Sequence, residues 1–312
     1  MKAQSPSYQY SIVIPTFNRL NELLLTLPQI VNLVDALGEI IVIDQSDDGQ
    51  PEQHKVQLAE ICAQCNIRYY MAPSFASVSI AINTGAQLAN APIVLIMDDD
   101  LDFADTDIIT KHLEYYREPD IIAVAGCYYA GHIDYPWIPS AKHGIATSMS
   151  CAHMSARKTT FEQYGAASWL KPPFSTIDWE MAEVFNRHGK VALGEDCFVF
   201  HRAPADGGCG NQGTRGVNWY RGTYHNHTLW MLSRPLKDKL LKLPKHIYTL
   251  LRYCIPSKDL MWTRKFWKEA VVNGIKDGVS TFKAHDNKRT HFAECENKLI
   301  LLFANTYEEP TE

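Results

Sequence analysis

Three runs near the start of the chain are apolar at almost every position: YSIVIP at 10–15, EIIVID at 39–44 and PIVLIMD at 92–98. A strand with one wet face alternates, so an unbroken apolar run predicts a strand covered on both faces, as in parallel sheets. Between the first two runs, Leu20, Leu23, Leu24, Leu27, Val31 and Val34 recur at helical spacing. Asn18 is the expected N-cap of that helix, Gly38 the stop, and Pro28 a point where it splits or kinks. Further helices are expected at 51–65 and at 78–90, where Val78, Ala81, Ile82, Gly85 and Ala89 share one face. The βαβαβαβ alternation predicts an open, doubly wound α/β sheet.

Beyond Asp100 the pattern changes to strand-like runs at 121–129, 145–155 and 191–200, with helices at about 157–165 and 176–188. This half is expected as α+β structure built onto the same sheet. Residues 203–216, APADGGCGNQGTRG, read as a Gly-rich loop, and the chain beyond Trp219 as basic amphipathic helices. The resulting division is a catalytic domain over 1–215, with halves 1–102 and 103–215, and a helical extension over 216–312. No internal repeat and no low-complexity tract interrupts it.

Composition narrows the class. The 312 residues are 46% apolar and 11% aromatic, ample for a packed core. Eight cysteines are scattered without a disulfide framework, and the first ten residues hold no apolar core, so a cytoplasmic protein is expected. No run approaches the roughly 20 apolar residues of a membrane span. The net charge of -5 hides an asymmetry: residues 230–290 carry 14 Lys/Arg against 5 Asp/Glu, a local +9 that leaves -14 elsewhere. Lysines alternating with Leu, Ile and Trp in that tail suit either a peripheral contact with an anionic membrane surface or packing against the domain or a second copy, as in a homodimer. Nothing points to nucleic acid.

The candidate chemistry lies where the predicted strands end. In doubly wound sheets ligands bind beyond the carboxyl ends of the strands, and PTFNR, DQSDDG and DDDLD all fall there. Asp98, Asp99 and Asp100 repel one another unless a cation offsets them, which suits Mg²⁺ or Mn²⁺ carrying substrate phosphates; the alternative is a solvated acidic turn. The CAQC pair, Cys62 and Cys65, has no second pair to complete a zinc site and is read as coincidental helical placement. Cys209 is assigned no role.

In order along the chain, SIVIPTFNR, IIVIDQSDDG, SIAINTGAQLANAPIVLIMDDD, SCAHMSARKTTFEQYG, STIDWEMAEVFNRHGK and VFHR resemble the motifs of family 2 glycosyltransferases over residues 9–202. The resemblance implies a GT-A fold, the nucleotide-diphospho-sugar transferase fold, with a basic helical C-terminal extension. It also implies an inverting, metal-dependent hexosyltransferase, of the rhamnosyl, galactosyl or glucosyl kind, using a UDP- or dTDP-sugar. The acceptor it implies is a hydroxyl of a glycan or lipid-linked molecule, as in cell-surface polysaccharide or glycolipid synthesis.

Carried onto this sequence, the resemblance puts Pro15, Thr16 and Arg19 around the nucleotide and gives Asp44 the base imide; Asn83, Asp98 and Asp99 also stand on the nucleotide-sugar side. Asp98 and Asp100 are the termini of the D-x-D, and Asp100 and His201 are the metal ligands, for Mn²⁺ or Mg²⁺. Asp178 matches the general base, with Glu180 the runner-up and Arg187 steadying this carboxylate cluster or an acceptor. Read from the residues alone, Asp44 is a turn cap and Asp178 a capping-box carboxylate with Ser175. Asp47 and Asp48 are turn residues. Ile82 stands where the family has arginine, and Arg215 or Arg221, at the glycine loop, is expected to supply the missing cation. A nucleotidyltransferase of related fold would show a Gly-rich basic loop after the first strand, and a catalytically silent nucleotide-sugar-binding protein would have lost the acids.

Overall fold

The computed structural model describes residues 8–46, 52–72, 77–130, 136–167, 170–172, 174, 176–203, 216–253, 261, 263–284 and 300–304. Strands β1 (Tyr10–Thr16), β2 (Gly38–Asp44), β3 (Ile67–Met71) and β4 (Ile93–Met97) run parallel in the spatial order β3-β2-β1-β4. Helices α1 (Leu20–Leu33), α2 (Glu52–Cys62) and α3 (Val78–Leu88) form the crossovers.

The unbroken apolar runs have the expected cause. Ile12, Ile14, Ile40, Val42 and Leu95 pack on one face with Leu23, Leu27 and Ile30 of α1. The alternate residues Val13, Ile41, Ile43, Val94 and Ile96 pack on the other with Ala81, Ile82 and Ala86 of α3. Helix α1 runs through Pro28 without splitting. Asn18 is not its N-cap: it adopts a left-handed φ of 54° and its N–H donates to Ser46, while Arg19 occupies the cap position. At α3 the Ser77 hydroxyl accepts from the Ile80 N–H and does cap the helix.

The second half continues the sheet. After β5 (Leu101–Asp102) and α4 (Ile108–Tyr115) come β6 (Ile121–Ala130), the short β7 (Ala141–Lys142) and β8 (Ile145–Ala146), β9 (His153–Arg157), α5 (Lys158–Gln163), α6 (Ile177–Phe185) and β10 (Lys190–His201). Strand β9 lies antiparallel between β4 and β6, and β10 pairs parallel with β6. The sheet is therefore mixed, with β4 and β10 delivering their carboxyl ends to the same edge.

Helices α7 (Val217–Leu232), α8 (Leu236–Tyr253) and α9 (Asn273–Ala284) follow, and α7 shares a small core of Tyr220, Tyr224, Phe266 and Ala270 with a π-helical stretch at Phe266–Val272. Asn226 of α7 exchanges hydrogen bonds with the Lys171 backbone at 2.9 and 2.7 Å, and Arg234 pairs with Glu183 of α6 at 2.6 Å, so these helices pack against the catalytic region. The extension is not helical throughout. Strand β11 (Ile300–Ala304) returns to the sheet and pairs antiparallel with β3, giving that edge strand a second neighbour.

Candidate active site

From β1 the chain adds β2 and β3 on one side and β4 on the other, so the loops leaving β1 and β4 diverge and open a crevice at their carboxyl ends. Thr16, at the end of β1, donates its hydroxyl to Asp99 at 2.6 Å. The Asp99 carbonyl accepts from Thr26 of α1 at 2.7 Å. Asp99 is thus turned inward as a strut. Burial, then Asp100, pushes its carboxyl up to about 8, with the Thr16 hydroxyl opposing.

Asp98 and Asp100 point the other way. With His201, at the end of β10, they form a cluster whose ligand atoms all lie within 4.8 Å of one another. His201 Nε2 stands 3.1 Å from Asp100, and Arg19 reaches Asp100 at 3.0 Å and Asp99 at 3.5 Å. Burial opposes ionisation of Asp100, yet His201, Arg19 and Arg202 outweigh it and hold its carboxyl below the usual range. Asp98 goes the opposite way, pushed up to about 7 by burial and by Asp100.

Asp178 sits in the first turn of α6. Its Oδ1 accepts the Cys151 N–H at 3.0 Å, while the Asp98 N–H donates to the carbonyl of the next residue, Ala152, at 2.9 Å. The Asp178 carboxylate and the Asp98 main chain, 80 positions apart in sequence, are therefore held by consecutive residues of one segment. Burial raises the Asp178 carboxyl above its ordinary value, and the Cys151 N–H opposes the rise. Asp178 in turn helps raise Asp98.

Arg202 fixes the frame. Its guanidinium donates to Glu22 Oε2 at 2.8 Å, the Glu22 carbonyl at 3.2 Å, Thr26 at 2.6 Å and the Leu101 carbonyl at 2.9 Å, and also to Asp102. Its N–H donates to the Asp100 carbonyl at 3.0 Å. One side chain thereby ties α1, β5 and the end of β10 together beside His201.

Other expected residues lie differently. Asp44 is fully buried, one carboxylate oxygen accepting from Ser46 N–H at 2.8 Å and the other from Tyr69 at 2.6 Å, which is the turn-capping arrangement. Asn83 spends its amide on the Ala166 carbonyl and N–H, both at 2.8 Å, clamping α3 to the segment after α5. Pro15 is buried within β1, in register with Ile43. Arg19 addresses the aspartates. Asp98, expected on the nucleotide side, stands in the metal-ligand cluster.

Glu180 is buried on α6, and Arg187 pairs with Glu183 at 2.9 Å rather than with the candidate base. Ile82 is fully buried in the apolar layer, so that position faces the core. Arg221 is held by Asp277 at 2.7 Å within the extension. Arg215, Asp47, Asp48, Ser175, Cys209 and most of the glycine loop lie outside the described residues. Burial pushes the Cys62 and Cys65 thiols up to about 12 and 11, which makes them inert.

Two residues escaped the sequence reading. Tyr128 of β6 places its ring edge-on to His201, 5.2 Å between centroids, and Trp137 stacks on Tyr128 at 4.9 Å. A tyrosine in CYYA carries no pattern that singles it out.

Two carboxylates and an imidazole on a strongly acidic crevice fit a divalent cation that keeps open positions for substrate oxygens. Burial first, and then the repulsion of Asp100, raise the Asp98 carboxyl, and a cation there would relieve the second.

Together the mixed sheet and the acidic strand end at its carboxyl edge define a GT-A-type fold. The family model of Glycosyl transferase family 2 matches residues 11–178, and the chain belongs to that family and is a glycosyltransferase. Among solved structures, TarS 1-349 from S. aureus in complex with UDP-GlcNAc is similar with a TM-score of 0.64 and 11% identity, over 88% of this chain and 81% of that one. The mannosyltransferase PcManGT from Pyrobaculum calidifontis, in complex with GDP-Man and Mn²⁺, is similar with a TM-score of 0.56 and 14% identity, over 92% of this chain and 78% of that one. Comparison with curated proteins gives no match.

Proposed function

We propose that this glycosyltransferase moves a sugar from a nucleoside-diphosphate donor to an acceptor hydroxyl in one displacement, with inversion, Asp178 acting as general base. The observation that carries this is the anchoring of Asp178 and Asp98 by the adjacent residues Cys151 and Ala152, with Asp100 and His201 completing the cluster. Asp178 takes the proton from the acceptor oxygen as it attacks the anomeric carbon; the sugar–phosphate bond breaks on the opposite face and its electron pair leaves with the diphosphate. Asp98, Asp100 and His201 would hold Mn²⁺ or Mg²⁺, which supplies charge neutralisation for the departing diphosphate. Arg19 and Arg202 keep those ligands in place.

Asp44, buried and twice bonded, argues for no base over another. The donor screen therefore spans UDP-, dTDP- and GDP-sugars, including the two nucleotides present in the similar structures. Nucleoside diphosphate released in a Mn²⁺-dependent manner supports the proposal. Pyrophosphate released from nucleoside triphosphates would favour a nucleotidyltransferase. Donor binding without turnover on any acceptor would favour a silent binding protein.

A lipid-linked or membrane-borne glycan suits the exposed stripe on α8. Leu236, Leu240, Leu243 and Ile247 recur at helical spacing and stand 44–72% exposed, with Lys237 and Lys242 exposed on the same helix. Apolar side chains flanked by lysines match an anionic headgroup layer. No helix among the described residues is long and apolar enough to cross a membrane. Flotation with anionic and with neutral liposomes tests this: salt-sensitive retention on the anionic set alone is expected. A dimer in solution with no retention would assign the stripe to a second copy.

A further inference from the structure

The Tyr128–Trp137 pair has no place in the machinery above, yet it is fixed firmly beside it. The two residues exchange both backbone hydrogen bonds, Tyr128 N–H to the Trp137 carbonyl at 3.1 Å and Trp137 N–H to the Tyr128 carbonyl at 2.7 Å. Their rings lie 17° from parallel. Trp137 is half-buried but belongs to none of the apolar cores formed by the described residues, and the next residue, Ile138, is 50% exposed. A large indole usually enters a core or anchors to one. Here it is oriented by main-chain bonds and one stacked ring, whose other neighbour is the metal-ligand candidate His201.

The inner member of the pair joins it to the reacting groups. The Tyr128 ring meets His201 edge-on, 5.2 Å between centroids, and burial first, then Asp178 and Asp98, raise its phenol above the ordinary value. The stack therefore runs from His201, one of the candidate metal ligands, through Tyr128 to Trp137. A sugar ring has an apolar C–H face, which an indole covers, and hydroxyls at its edge, which carboxylates and a phenol receive. The molecule that must bring a hydroxyl to Asp178 is the acceptor.

We propose that Trp137, stacked on Tyr128, is a platform for a pyranose ring of the acceptor, holding it so that one hydroxyl meets Asp178. This rests on the transferase reading given above and names the acceptor class as a saccharide.

The test uses the full chain with Mn²⁺ and the nucleoside diphosphate that binds it best. The probes are methyl pyranosides of common hexoses at tens of millimolar, read by saturation-transfer NMR. At least one is expected to bind the wild type, and Trp137→Ala to weaken it about tenfold. Trp137→Phe keeps a stacking face and is expected to stay within about threefold of wild type, which separates lost stacking from lost folding. Calorimetric affinity for the nucleoside diphosphate is expected to be unchanged in both variants.

The proposal is overturned if no methyl pyranoside binds the wild type, or if Trp137→Ala binds them as the wild type does. It is also overturned if that variant loses nucleotide affinity instead, since the ring would then serve the donor. A wild type that binds pyranosides but no nucleoside diphosphate would sink the transferase reading while leaving the platform standing.

Discussion

Replacing Asp178 by asparagine separates chemistry from architecture at one atom. The carboxylate's structural contact is acceptance of the Cys151 N–H at 3.0 Å by Oδ1, and an amide oxygen accepts the same bond. Burial makes the ionised form costly, so the neutral amide leaves the fold no less stable than wild type. What the amide cannot do is take a proton. Positioned bases contribute about 10²–10⁴-fold, so Asp178→Asn is expected to lower kcat by that factor, about 3–5 kcal/mol of transition-state stabilisation.

The assay is nucleoside diphosphate release with donor and acceptor saturating, alongside donor affinity by calorimetry, which should hold within about threefold. Glu180→Gln, on a buried residue of the same helix, is the comparison and should cost less than about tenfold. A base works ionised, and burial raises the Asp178 carboxyl above 3.8. Wild-type kcat/KM should therefore fall as pH drops through that raised value, and Asp178→Asn should lack this acid limb. A variant within tenfold of wild type, or a crippled Glu180→Gln, refutes the assignment.

Arg202→Lys keeps the charge but loses the fork that ties Glu22, Thr26, Leu101 and Asp102 beside His201. Mn²⁺ affinity by electron paramagnetic resonance should drop about 10–100-fold in a folded protein; a fall in melting temperature with unchanged Mn²⁺ affinity would make Arg202 merely structural. Gly85→Ala sets two effects against each other. Helix propensity favours alanine, but a Cβ there would lie 2.2 Å from Val13 Cγ1 in β1, so denaturant unfolding should show a net loss of about 1–2 kcal/mol. Asp44→Asn leaves one of two buried donors, Tyr69 or Ser46, without an acceptor and should cost about 1–3 kcal/mol. UDP and GDP affinities should be unaffected by it, and a selective loss of UDP would give Asp44 a base-reading role.

The nucleotide half of the fold was legible because β1, β2 and β4 are covered on both faces, and that burial writes itself as unbroken apolar runs. Strand β3, with alternate residues only half-buried, leaves a fainter trace, as IRYYM. Strand β11 was not legible at all. Its pairing with β3 is long-range and antiparallel, and nothing in the local pattern of ILLFA says which edge it will join. The missed cap at Asn18 has a similar cause: its N–H bonds to Ser46, beyond the end of β2, and the residue sits in the left-handed region, a long-range contact that the local pattern does not show.

At the site, motif order located residues but not the direction of their side chains. Asp98, Asp99 and Asp100 are equivalent as letters, yet the strand end turns Asp99 inward to Thr16 and leaves Asp98 and Asp100 facing His201. Asp44 and Asn83 stand at motif positions and spend their polar atoms on the protein itself, because Tyr69 and Ala166 are brought to them by β3 and by the segment after α5. Tyr128 illustrates the converse. It enters the site only because β6 and β10 pair in a register that sets Phe200 beside Tyr129 and His201 beside Ala130, bringing the end of β10 alongside Tyr128. Slipping that register by one residue would turn His201 to the other face of the sheet, away from Asp100. The parallel pairing of β10 with β6 is thus as much a determinant of the metal-ligand cluster as the aspartates themselves.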